Sequence, residues 1–114
     1  MTTAIKKRHP LTITYTVLVP EETIQYIKDN DGTRYWAEYG GDFDAYLDDD
    51  GTTYLISAEN GERFNFDTET CLKGIALWIE REGGDFERLR DCETDYTYHD
   101  CIWQYGFFGE LVYG

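Results

Sequence analysis

Basic residues are scarce in this chain. Ten Lys and Arg stand against 23 Asp and Glu over 114 residues, a net charge of -13. Three of the ten, Lys6, Lys7 and Arg8, fall within the first few residues, so the remainder is more acidic still. Nucleic-acid backbones and anionic lipid surfaces are held by Lys and Arg, and a chain this acidic repels both everywhere except its extreme N-terminus. Neither direct nucleic-acid binding nor membrane binding is expected. Long apolar runs are missing as well, so no segment is suited to spanning a bilayer, and Met1-Thr2-Thr3-Ala4-Ile5 lacks the apolar core of a signal peptide. These absences predict a cytoplasmic protein.

Cysteine and histidine are too few, and wrongly spaced, for familiar chemistry. Cys71, Cys92 and Cys101 are odd in number and show no CxxC spacing, which argues against a disulfide framework or a zinc ribbon and predicts reduced, mostly buried thiols. His99 and Cys101 are close in sequence, but two apart on one helix they point about 200° away from each other and cannot act as base and nucleophile. They read as a surface His and a core Cys. Cys92, His99 and Cys101 lack a fourth metal ligand at any familiar spacing. No catalytic signature is present, so the expectation is a protein that is not an enzyme and uses no cofactor.

What the chain does have is negative charge concentrated in one place. Glu38, Asp42, Asp44, Asp48, Asp49 and Asp50 follow one another without an intervening base. Uncompensated charge of this kind opposes folding, and it is tolerated for solubility, for a cation or for a basic partner. Asp48-Asp49-Asp50-Gly51 resembles part of a calcium loop, since hard cations need clustered oxygens and a Gly at the sharp turn. The register fails: with Gly51 in the glycine place, Tyr46 and Ser57 fall where the pattern needs Asp and Glu. Large aromatics interleave with the acids at Tyr35, Trp36, Tyr39, Phe43 and Tyr46, and rigid aromatic area beside charge is the composition of protein-binding hot spots. The six carboxylates are therefore expected to supply charge, and Tyr39, Phe43 and Tyr46 exposed anchors, for a basic protein surface. The alternatives are a small-ligand or metal-binding module using the same loop, or an enzyme whose signature is not recognised.

Local patterns predict an α+β domain, a small antiparallel sheet of about four strands packed by two to three helices, over residues 11–114 behind a flexible basic segment at 1–10. Hydrophobic residues make up 41% of the chain, enough for one core. Leu11-Thr12-Ile13-Thr14-Tyr15-Thr16-Val17 alternates apolar with Thr, the period-2 signature of a strand. Pro20-Glu21-Glu22 opens a helix to about Asn30. Strands are expected over 33–39, 52–58 and 63–66, with the acidic residues in a loop between the first two and Asn60-Gly61 turning the last pair into a hairpin. Asp67 is an N-cap for a helix that buries Leu72, Ile75, Ala76 and Ile79 and stops at Gly83-Gly84. The segment Phe86–Arg90 suits a short strand or helical turn. Thr97-Tyr98-His99-Asp100 fits a capping box ahead of a last helix with Cys101, Tyr105, Phe108 and Val112 on one face.

The ending Gln104-Tyr105-Gly106-Phe107-Phe108-Gly109-Glu110-Leu111-Val112-Tyr113-Gly114 resembles, as Q-x-x-x-F-G-E-x-V-Y-G, that of small phage and prophage proteins, and the pair Tyr35-Trp36 adds to the likeness. The resemblance implies an anti-defence context, of the anti-CRISPR or anti-restriction kind, in which an acidic protein occupies the nucleic-acid site of a host protein. Gly106 and Gly109 permit close approach of another backbone, either within the fold or in a homodimer.

Overall fold

The computed structural model describes residues 7–14, 16–30, 36–37, 40–94 and 96–113. Helix α1 spans Glu21–Asp29. Pro20, with φ -62° and extended ψ, occupies its N-cap, Glu21 and Glu22 meet the positive end of its dipole, and Thr23, Ile24 and Ile27 are its buried face. Three strands follow: β1 at Phe43–Leu47, β2 at Thr53–Ser57 and β3 at Arg63–Asn65. They form one antiparallel sheet in the order β1-β2-β3, with Ala45 opposite Leu55 and Leu55 opposite Phe64. Helices α2 (Thr68–Glu82), α3 (Phe86–Arg90) and α4 (Tyr96–Phe108) complete the α+β fold. No helix among the described residues is long and apolar enough to cross a membrane.

Two expected strands differ from what is found. Residues 11–14 and 16–17 carry no strand, and Leu11 and Ile13 stand 82% and 74% exposed. An alternating sequence supplies one strand's side-chain pattern but not the neighbour whose backbone completes it. The expected strand over 33–39 lies mostly outside the described residues. Its described members, Trp36 and Ala37, are buried but not in a strand. The strand that pairs with β2 is instead Phe43–Leu47, within the acidic stretch assigned to a loop. Alternation explains this, because Phe43, Ala45 and Leu47 share one face and leave Asp44 and Tyr46 on the other.

The centre of the core is α4. Ile102, Trp103, Gln104, Tyr105, Gly106 and Phe107 are all buried, so the helix is enclosed on nearly every side instead of presenting one apolar stripe. Val112, expected on its face, lies beyond its end and is exposed. His99 is buried, not on the surface. Its Nε2 lies 2.8 Å from the Thr94 hydroxyl, and its ring meets Tyr26 edge-on at 4.9 Å. Of the thiols, Cys71 is buried, Cys101 half-buried and Cys92 exposed, and all three are free.

Helix α2 begins as expected, with the Asp67 carboxylate accepting from the Thr70 N–H at 2.9 Å. Its buried face is turned from the expected one: Cys71, Gly74, Ile75 and Trp78 are inside, whereas Leu72 is 38% exposed and Ala76 is exposed. The reason is a close helix pair. A β carbon at Gly74 would lie 2.2 Å from the Ile102 carbonyl oxygen, and one at Gly106 would lie 2.6 Å from that of Thr70. Thr70 and Gly74 on α2 thus meet Gly106 and Ile102 on α4, each pair one turn apart, and this seam fixes which side of α2 faces inward. Gly106 serves internal packing. The side carrying Leu72, Ile75, Ala76 and Ile79 instead borders a cavity of 360 Å³ shared with Val17 and Val19.

Polar ties lock α4 to its surroundings. Buried Gln104 donates to Asp100 and to the Tyr113 carbonyl at 3.2 and 3.1 Å and accepts from the Val112 and Tyr113 N–H groups at 2.9 and 2.8 Å, so every hydrogen-bonding position of its amide is filled. Asp100 also accepts from the Trp36 indole at 2.6 Å. Burial pushes the Asp100 carboxyl up from its ordinary range, and the two donors hold it back. Tyr105 donates to Glu82, and that hydrogen bond, with burial behind it, pushes its phenol up to about 12. A phenol raised in the folded state gives stability that is complete below the unfolded value near 10 and is lost as pH rises from there toward 12. Wild-type stability is therefore expected to fall over that alkaline window. Tyr105→Phe should make the fall shallower without abolishing it, because burial also raises Cys71, Cys101 and Tyr113, and should lower stability at neutral pH by about 1 kcal/mol. Denaturant melts between pH 8 and 12 measure both, and an equal alkaline slope in the two proteins would show that the phenol is not its source.

Candidate functional site

The sheet has two chemically distinct faces. Directly opposed residues of an antiparallel pair share a face, so Phe43, Ala45, Leu47, Thr53, Leu55 and Phe64 look toward the helices. Phe43 packs edge-on against Phe64 at 5.8 Å and lies 5.6 Å from Phe108, which joins this face to the end of α4. The far end of the same face is uncovered, with Leu47 70% exposed.

On the solvent side lie Asp44, Tyr46, Tyr54, Ile56, Arg63 and Asn65. Tyr46 stacks on Tyr54 at 5.4 Å, and the Arg63 guanidinium carbon sits 3.7 Å from the centre of the Tyr54 ring. Arg63, Tyr54 and Tyr46 thus form a row across all three strands, worth a few tenths to about 1 kcal/mol for each contact. Sequence inspection missed this row. The Asn60-Gly61 hairpin contained the signal, because it sets Arg63 opposite Ile56 and so diagonal to Tyr54.

The acids at the end of β1 form an ordered turn. Asp48 accepts from the Asp50 N–H at 3.2 Å and the Thr52 N–H at 3.0 Å, and Asp50 accepts from the same Thr52 N–H at 2.9 Å. Its backbone closes through Gly51 N–H to the Asp48 carbonyl at 3.1 Å. The Asp50 carboxyl is held down at about 2, first by its side-chain hydrogen bonding with Asp48 and then by the Thr52 hydroxyl and N–H, with the Lys28 charge adding to it. Asp50 therefore stays ionised at any physiological pH. Lys28 reaches the Thr52 hydroxyl at 3.3 Å, but the ion pair found among the described residues is the distant Arg90–Asp91.

The candidate residues therefore separate into different jobs. Asp44 and Asp49 are exposed and their carboxylates engage in no hydrogen bond among the described residues, Asp50 is exposed at the turn, and Tyr46 is 47% exposed. Asp44 and Tyr46 share the solvent face of the sheet, and Asp49 and Asp50 stand on the turn that follows β1. Asp48 is half-buried and spends its carboxylate on the turn. Asp42 sits beyond the other end of β1, where it accepts from the Tyr113 hydroxyl at 3.0 Å beside an open concavity of 600 Å³ lined also by Glu59. Phe43 is a core residue and not an exposed anchor, because its strand position points it at the aromatic cluster. Glu38 and Tyr39 lie outside the described residues. Among the described residues no group of His, Cys, Asp or Glu is arranged to hold a metal ion.

The C-terminal run has a structural part to play. Gln104 clasps the backbone of residues 112 and 113, and the Tyr113 ring stacks on Trp36 at 5.0 Å with 7° between planes. Comparison with protein families, with curated proteins and with solved structures finds no match to this chain.

Proposed function

We propose that this protein is a non-enzymatic inhibitor that occupies the basic nucleic-acid groove of a host defence protein in the host cytoplasm, presenting carboxylates where that groove would hold phosphates. The observation that carries the reading is charge without an ion-pair partner among the described residues along β1 and the turn after it: Asp44 is exposed on the strand, and Asp49 and Asp50 on the ordered turn that follows, with Tyr46 between them in sequence. Charges already held in place lose little freedom on binding and steer association at long range. The sequence resemblance to small phage proteins agrees with such a context, although the structure uses Gln104, Phe108 and Tyr113 of that motif for packing.

The test uses the partner captured from a bacterial host lysate. Changing Asp44, Asp49 and Asp50 together to Asn removes charge while keeping an acceptor for the Thr52 N–H, so the fold is expected to stand. Association should slow by about tenfold or more, and its salt dependence should flatten. Equal association rates at low salt for the two proteins would remove this surface from the interface. Titration of the target's nucleic-acid binding should break at a small integer ratio and recover fully on separation at high salt. Persistent inactivation of many target molecules per inhibitor would instead reveal catalysis.

A further inference from the structure

We infer that two copies of this chain exchange N-terminal arms, residues 11–14 of each adding as a fourth strand, antiparallel, to the free edge of β1 in the other. The arm has a strand's sequence without a strand's partner. Leu11-Thr12-Ile13-Thr14 alternates apolar and Thr, yet forms no ladder among the described residues and leaves its two large side chains in solvent. The sheet has the converse deficiency. Among the described residues, in the order β1-β2-β3, the outer side of β1 has no partner strand, Leu47 stands exposed at its end, and a groove of 310 Å³ runs along Gly41 and Phe43–Tyr46. An exposed edge of this kind is a template for another strand.

Charge selects the direction. All 23 acids lie at Glu21 or later, and exposed Lys7 and Arg8 come just before the arm, while Asp48–Asp50 come just after β1. Only an antiparallel arrangement sets the bases beside the acids. Alternation then selects the register. With Leu11 opposite Leu47 and Ile13 opposite Ala45, both apolar side chains extend the layer that faces the helices, and Thr12 and Thr14 join Tyr46 and Asp44 on the solvent side. The same register sets Arg8 across from Asp50 and leaves Pro10, which has no N–H to donate, ahead of the first ladder residue. A slip by one residue would turn Leu11 and Ile13 to water, so the pairing is specified from both sides.

The occupant is a second copy because the chain's own arm leads elsewhere. Its root is held beside α2, where Val17 and Val19 line a cavity with Leu72, Ile75 and Ile79, and the residues before it stand in solvent. The inference does not rest on the proposed inhibitory function. It does imply that a target using the acidic edge must displace the arm.

The experiment is sedimentation of the full chain at low salt, with hydrogen exchange read at residues 11–14. The wild type should dimerise with those amides protected. Two charge-swapped proteins, Lys7→Glu with Arg8→Glu and Asp49→Lys with Asp50→Lys, should each self-associate about tenfold or more weakly, and mixing them should restore the dimer, because each arm then meets an edge of opposite sign. Leu11→Ser with Ile13→Ser should also be monomeric, and with both residues already exposed its denaturant melt should match that of the wild-type monomer. A wild type that stays monomeric at all concentrations, a dimer indifferent to the arm substitutions, a swapped pair that does not recover on mixing, or a monomer whose residues 11–14 are protected would each overturn the inference.

Discussion

Replacing Gly74 by alanine should destabilise this protein by more than about 3 kcal/mol, the opposite sign from the same change at an open helix position. In an exposed helix interior alanine is better than glycine by about 1 kcal/mol, because it restricts the unfolded chain and shields the backbone. Here the added β carbon would meet the Ile102 carbonyl oxygen at 2.2 Å, so α4 must move. That oxygen belongs to the backbone of a helix held on nearly every side, and a shift away from α2 disturbs the packing of Trp103, Phe107 and the Gln104 clasp together. Gly106→Ala meets the Thr70 carbonyl at 2.6 Å and should behave in the same way. Against a typical domain stability of about 5–15 kcal/mol, either change leaves a protein with a sharply lowered urea midpoint. A Gly74→Ala protein at least as stable as wild type would mean that α2 and α4 do not meet at this seam.

The seam also explains where sequence reading succeeded and where it failed. Most signals carried within one turn of chain were reliable: Asp67 as N-cap, the Glu21-Glu22 helix start, the Asn60-Gly61 hairpin and the α2 stop at Gly83 all act through local hydrogen bonds and dihedral angles. The capping box expected at Thr97 fails, because α4 already begins at Tyr96 and takes Thr97 into its first turn. Ile75 was legible as core, but Leu72 was not legible as half-exposed. Apolar spacing says that a helix has a buried side, whereas two glycines meeting a distant backbone decide which side it is. Helix α4 failed for a related reason. A helix enclosed all round has no stripe to read, and buried His99 and Gln104 look like surface residues until Thr94 and residues 112–113 are placed beside them.

The candidate site was half legible. Its charge could be counted in the sequence, and Asp44, Asp49, Asp50 and Tyr46 are exposed as that count suggested. Its architecture could not be read there. The acids interrupt a strand, not a loop, and the alternation that buries Phe43 was obscured by the aspartates between its apolar members. Asp48 illustrates the remaining difficulty: composition marks it as one more surface charge, but its two backbone hydrogen bonds make it the fastener of the turn.

Trp103→Ala should be the most damaging of the core truncations, lowering stability by about 3–5 kcal/mol for the lost side chain and by a further 1–3 kcal/mol for the polar group it strands. The indole stacks on Phe66 at 3.8 Å with 3° between planes, and its N–H donates to the Ile27 carbonyl at 3.1 Å. One side chain therefore ties α4 to the end of α1 and to the link between β3 and α2. Trp103→Phe separates the two contributions, because a ring can still stack on Phe66 while the Ile27 carbonyl loses its donor, and it should fall between wild type and alanine. Equal losses for phenylalanine and alanine would mean that the hydrogen bond, not the ring, carries the effect. The same series separates scaffold from surface in any test of inhibition. Trp103→Ala should abolish target blocking in step with its loss of folded protein, whereas the variant with Asn at 44, 49 and 50 should bind more weakly while melting like wild type. If the Asn variant instead lost binding only to the extent that it unfolded, the acidic edge would be a structural element with no part in recognition.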